Sequence, residues 1–180
     1  EACNGGACAI ATCNAGFGDC DNQAANGCEI NLNASLANCG TCGNACNLAN
    51  AAEACNNGAC AVASCDAGFG NCDNQAANGC EVNLGTSVGN CGTCGNACNL
   101  PNAAETCTNG ACAVATCEMP FADCDNQAAN GCEANLATST LSCGGCGNVC
   151  NLPNAVPACT AGLCAIAACQ PGFSDCVSSV

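Results

Sequence analysis

The stretch "NCGTCGNACNL", Asn38–Leu48, carries three cysteines, Cys39, Cys42 and Cys46. It returns unchanged at Asn90–Leu100 and, slightly altered, as "SCGGCGNVCNL" at Ser142–Leu152. Cysteines so close together are metal ligands, a redox centre or halves of disulfides. Which of these they are decides the fold.

Working outward, every cysteine falls on a step of 52 residues. Cys3, Cys55, Cys107 and Cys159 form one column, followed by Cys8, Cys60, Cys112 and Cys164. Cys13, Cys65, Cys117 and Cys169 form the third, and Cys20, Cys72, Cys124 and Cys176 the fourth. The remaining columns are Cys28/Cys80/Cys132, Cys39/Cys91/Cys143, Cys42/Cys94/Cys146 and Cys46/Cys98/Cys150. The frame is C-x4-C-x4-C-x6-C-x7-C-x10-C-x2-C-x3-C-x8, with no insertion or deletion. A fixed period of this length marks a tandem-repeat architecture. The repeats are residues 1–54, 55–106 and 107–158, with a half repeat and tail at 159–180. Each full repeat holds two four-cysteine modules: a first type such as Cys3–Cys20 and a second type such as Cys28–Cys46. The chain begins and ends on the first type.

Composition separates the three chemistries. The 180 residues include 28 cysteines, far above the roughly 8–10% that marks a disulfide scaffold. Only 24 residues are Leu, Ile, Val or Phe, too few to hold the chain by hydrophobic burial alone. Covalent links or metals must substitute. There are 14 acidic residues and no Lys, Arg or His, a formal charge of −14. Seven divalent ions in four-thiolate sites would leave about −28, with no cation to offset it. Disulfides add no charge. The C-C and C-x-C clusters of metallothionein-like chains are absent, as is the proline that follows bacterial iron–sulfur runs. A redox-active thiolate needs a nearby cation or helix N-terminus, and thioredoxin-like chemistry needs a βαβ setting. The reading is therefore up to 14 disulfides, all 28 cysteines included, in an oxidising compartment. The even count in each module points to pairing within modules. Bridges between modules are the alternative, leaving cysteines of the terminal modules to link subunits.

The same charge excludes phosphate and nucleic-acid binding and repels anionic membranes. No apolar run reaches the ~18 residues of a membrane span. Glu1 in place of Met suits a mature exported chain, so the expected location is extracellular or at the cell surface. Trypsin-like proteases find no Lys or Arg to cut.

Local signals are short and β-like. "CNGGAC" and "CNNGAC" place an Asn-Gly turn between two cysteines, which suits a tight hairpin. "ACAIATC", "ACAVASC", "ACAVATC" and "LCAIAAC" then read as strands, and "CEINL", "CEVNL" and "CEANL" as further ones. Phe17, Phe69, Phe121 and Phe173 share one column and are expected to plug small cores between disulfides; exposure for ligand stacking is the alternative. No segment has a helical period. The expected fold is a small disulfide-rich one, with irregular loops and short β-hairpins, forming an elongated tandem-repeat rod with little helix.

Two loops are candidate sites. "CDNQAANGCE" recurs at Cys20–Glu29, Cys72–Glu81 and Cys124–Glu133. With Asp19 and Asp123 before it, it gathers Asp19, Asp21, Glu29, Asp73, Glu81, Asp123, Asp125 and Glu133 as possible weak Ca²⁺ ligands. The alternative is an Asx turn that satisfies its own backbone. The C-x10-C loop carries hydroxyls at Ser35, Thr86, Ser87, Thr138, Ser139, Thr140 and Ser142, and "NAS" at Asn33 matches the N-glycosylation acceptor. These are glycan candidates or plain polar loops.

The run "NCGTCGNAC" after "GFGDCDNQAANGCE" resembles Cys-rich repeats of secreted and surface proteins from myxobacteria-like bacteria. Its NCGxCGNxC part is similar to the motif of the stigma-specific protein family. The resemblance implies an exported, disulfide-stapled surface protein without known catalysis.

The expected function is structural: a subunit of an extracellular filament or surface appendage, joined head to tail to copies of itself. The tail Val177, Ser178, Ser179 and Val180 is β-prone and suits pairing with a neighbour's strand edge. The alternative is a surface adhesion module for a glycan, Ca²⁺ or a protein. A third reading is a thiolate-based metal-binding or electron-conducting chain. Enzyme chemistry is not expected, since no nucleophile has a base beside it.

Overall fold

The computed structural model describes residues 2–4 and 7–174. The tail 177–180, and with it the expected assembly strand, lies outside the described residues. The strands are β1 (Ala2–Asn4), β2 (Ala7–Ala9), β3 (Phe17–Gly18), β4 (Ile30–Asn31), β5 (Ala51–Asn56) and β6 (Ala59–Cys65). They continue as β7 (Phe69–Gly70), β8 (Val82–Asn83), β9 (Ala103–Thr108), β10 (Ala111–Cys117) and β11 (Phe121–Ala122). The last three are β12 (Ala134–Asn135), β13 (Ala155–Thr160) and β14 (Leu163–Cys169). Every sheet is a two-stranded antiparallel hairpin. Among the described residues, helix is confined to 3-10 turns of three residues at Ala76–Asn78, Val88–Asn90 and Ala128–Asn130. The expected disulfide-rich hairpin repeat with little helix is what forms.

The long hairpins follow from their turns. In β5–β6 the two-residue loop is Asn57-Gly58, at φ of 51° and 81°, and Cys55 faces Cys60 in register. Positive φ at both positions is the type I′ requirement, which Asn-Gly meets cheaply. Asn109-Gly110 does the same for β9–β10. In β13–β14 the turn is Ala161-Gly162, and Ala161 is held at φ 51°. Each of these hairpins carries one register shift near its open end.

Twelve disulfides join described cysteines, and each joins a first-type module to a second-type one. Cys13–Cys28 and Cys20–Cys42 link the first pair of modules. Cys39–Cys55 and Cys46–Cys60 link that second-type module to the next hairpin. The pattern repeats as Cys65–Cys80, Cys72–Cys94, Cys91–Cys107 and Cys98–Cys112. It repeats again as Cys117–Cys132, Cys124–Cys146, Cys143–Cys159 and Cys150–Cys164. The expectation of pairing within modules is therefore overturned. Cys55 and Cys60 sit opposite each other in one hairpin, yet each bonds outward to the Cys39–Cys46 loop. That loop lies over the cysteine face of the hairpin and brings the Cys39, Cys46 and Cys60 sulfurs within 4.8 Å of one another. Among the cysteines whose side chains are described, Cys169 alone has no bridge. The side chains of Cys3, Cys8 and Cys176 lie outside the description.

The chain forms two compact units, Glu1–Gly85 with Gly92–Gly95, and Thr86–Cys91 with Asn96–Val180. Every bridge closes within one unit. The buried apolar residues of both are mostly cysteines: Cys39, Cys80, Cys132 and Cys143 are fully covered, joined by Leu48, Ala103 and Ala155. The phenylalanines do not plug this core. Phe17 and Phe173 are 43% and 54% exposed, and Phe69 and Phe121 are half-buried. A core of compact sulfur links between short loops has no room for an aromatic ring.

Candidate functional site

The acidic loop is built the same way three times. The Asp21 carboxylate accepts the Gln23 backbone N–H (2.9 Å), the Gln23 side-chain amide (3.1 Å) and the Asn26 amide (2.9 Å). Asp73 takes the same three donors from Gln75 and Asn78, and Asp125 from Gln127 and Asn130. This is the Asx-turn arrangement. Donors that favour the ionised form lower a carboxyl's pKa. The Asn26 amide, then the Gln23 N–H, hold Asp21 below the usual carboxylate range. For Asp73 and Asp125 the backbone N–H of Gln75 or Gln127 leads, followed by the Asn78 or Asn130 amide. Glu29, Glu81 and Glu133 reach back to accept the N–H of Cys20, Cys72 and Cys124 at 3.0, 2.9 and 3.0 Å.

Folding brings carboxylate oxygens of Asp19, Asp21 and Glu29 within 4.8 Å, and likewise those of Asp123, Asp125 and Glu133. Asp19 Oδ1 and Asp123 Oδ1 are buried with no hydrogen-bond partner, as is Asn71 Oδ1 at the same repeat position. A bare buried oxygen is costly. Three converging oxygens fit a hard cation such as Ca²⁺, for which a carboxamide oxygen also serves. In the second repeat, Asn71 stands where Asp19 and Asp123 stand, beside Asp73 and Glu81.

The glycan candidates split by exposure. Asn33, Thr86 and Thr138 are exposed, whereas Ser35, Ser87, Ser139, Thr140 and Ser142 are half-buried. Ser35 and Ser87 accept the amides of Asn38 and Asn90 at 3.4 and 3.3 Å. Ser139 and Ser142 accept the N–H of Leu141 and Gly147.

A second recurring arrangement was not singled out from the sequence. The Cys80 N–H donates to the Ala49 carbonyl (2.8 Å), and the Asn50 amide donates to the Cys80 carbonyl (3.1 Å). Cys132 makes the same pair with Pro101 and Asn102, at 2.9 and 3.1 Å. Asn50 and Asn102 sit at φ of 50° and 52°. The signal available was an Asn recurring every 52 residues before each long hairpin, at a backbone position Asn tolerates. Among the described residues no helix is long and apolar enough to cross a membrane. No known family model, curated protein or solved structure matches the chain.

Proposed function

We propose that this protein is a structural subunit of an extracellular filament or surface appendage, assembling end to end. The observation that carries the reading is the ladder of bridges: six successive module junctions are each closed by two disulfides. A backbone break in one loop leaves the modules covalently joined. Such links persist in oxidising surroundings. The likeness of "NCGTCGNAC" to secreted Cys-rich repeats supports the same location. Chains of charge −14 repel one another, so assembly requires screening by cations. Sedimentation and negative-stain microscopy of the oxidised protein, across salt and Ca²⁺ concentrations, test this. Ordered polymers that grow with cation concentration are expected. A monomer at every concentration and ionic condition sinks the proposal.

A surface module that binds Ca²⁺ weakly is the second reading, favoured by the unpartnered Asp19 and Asp123 oxygens. Calorimetric titration decides it. Saturable uptake, weakened by Glu29→Gln and Glu133→Gln, supports cation sites; a response no different from nonspecific screening assigns these residues to loop bracing alone.

A further inference from the structure

The turn before each long hairpin is a receptor for an Asn-Gly-Cys segment, and the internal repeats show how it fills. Cys80 docks on Ala49 and Asn50 and bonds to Cys65 at the end of β6. Gly79 fits because it has no side chain: a Cβ there would lie 2.3 Å from the Ala49 carbonyl oxygen. Cys132 docks on Pro101 and Asn102 and bonds to Cys117, with Gly131 equally tight against Pro101.

The same turn recurs before β13–β14, where no described residue fills it. Asn154 takes the same left-handed turn (φ 58°), and its carbonyl accepts the Gln170 N–H at 2.9 Å. Asn50 and Asn102 accept from Asp66 and Glu118 at the same distance, so the site is preformed. Yet among the described residues the Asn154 amide and the Pro153 carbonyl have no partner, and Cys169 has no bridge. Ile166 is 44% exposed where Val62 and Val114 are half-buried.

We propose that Pro153, Asn154, Ile166 and Cys169 form an acceptor for a polypeptide segment of second-type sequence, centred on Asn-Gly-Cys and joined through a disulfide to Cys169. A folded copy of residues 1–180 does not supply it. All four cysteines of each second-type module, such as Cys28, Cys39, Cys42 and Cys46, are already bridged. Covalent growth of the ladder from this hairpin therefore passes through a segment whose cysteine is still unpaired. The inference goes beyond the structural reading and stands on the site alone, whether or not filaments form.

The test uses the intact oxidised protein and a peptide with the sequence of residues 125–135, its cysteine held as a mixed disulfide with glutathione. The Cys169 thiolate, its proton lost to solvent, attacks the peptide-side sulfur. The bond to glutathione breaks and glutathione leaves as the thiol, so one disulfide is exchanged for another with no net oxidation. Peptide mapping by mass spectrometry should find the peptide on Cys169. Attachment should be about tenfold faster than for a G131A peptide, whose added methyl would strike the turn's carbonyl oxygen, and several-fold slower on an N154A protein, which lacks the amide that holds the cysteine carbonyl. Equal rates for both peptides, mainly glutathione rather than peptide on Cys169, or attachment that survives Cys169→Ser would overturn the proposal. So would a native bridge from Cys169 to Cys3, Cys8 or Cys176.

Discussion

Removing the Cys39–Cys55 bridge should cost more than removing Cys20–Cys42, although loop length alone ranks them the other way. The two bridges span 16 and 22 residues in the same unit. In the chain-entropy account, loops of those sizes contribute about 3.1 and 3.4 kcal/mol. Burial reverses the order. Cys39 and Cys55 are 0% and 8% exposed, whereas Cys20 is half-buried and Cys42 exposed. Truncating a buried sulfur to Ala loses about 1 kcal/mol of transfer and packing energy. The double variant C39A/C55A should thus lose about 5 kcal/mol and C20A/C42A about 3.4 kcal/mol. The assay is guanidinium unfolding followed by far-UV circular dichroism, because the chain has no Trp or Tyr to report by fluorescence. It is run at mildly acidic pH, where thiol exchange is slow. Equal losses, or a larger loss for C20A/C42A, would refute the idea that buried sulfur is the core.

Ala161→Asn should stabilise β13–β14 by about 0.5–1 kcal/mol, because Ala161 occupies a left-handed turn position that Asn tolerates. Asn57→Ala should do the reverse to β5–β6, and hydrogen exchange of the strand amides reads both. Asp21, Asp73 and Asp125 bind protons less readily folded than unfolded. Their contribution is complete above the ordinary carboxylate pKa of about 4 and fades as pH falls through the lower folded values. The triple variant D21N/D73N/D125N should flatten the loss of stability below about pH 4, and an unchanged acid slope would remove these groups from the account. Reduction of the native protein should raise its intact mass by at least about 24 Da, two hydrogens for each bridge. A smaller rise means that some of the bridges are absent in solution.

Some of this was legible in the residues because it is local. Asn57-Gly58 and Asn109-Gly110 select their turn through backbone sterics alone, and the strands Ala59–Cys65 and Ala111–Cys117 follow from it. The cysteine count, the scarcity of apolar residues and the absence of any cation pointed to disulfides by elimination. Asp21 as an Asx brace was also readable, since its donors Gln23 and Asn26 lie within five residues.

The pairing was not legible. Eight cysteines per repeat allow 105 connectivities, and nothing in spacing ranks them. Cys55 and Cys60 face each other across a hairpin, but their partners are set by the Cys39–Cys46 loop that folds over them. The phenylalanine column looked like a core because aromatic residues usually bury. Here sulfur occupies that volume, and Phe17 stays half outside. The contact between Asn50 and Cys80 joins residues 30 apart in the chain, and so does that between Asn102 and Cys132. The amino acids by themselves determined the period, the turns and the oxidised chemistry, each governed by a few neighbouring residues. Tertiary structure decided which sulfurs meet, which oxygens converge beside Asp19 and how Asn50 and Asn102 hold Cys80 and Cys132, because those depend on how distant loops stack.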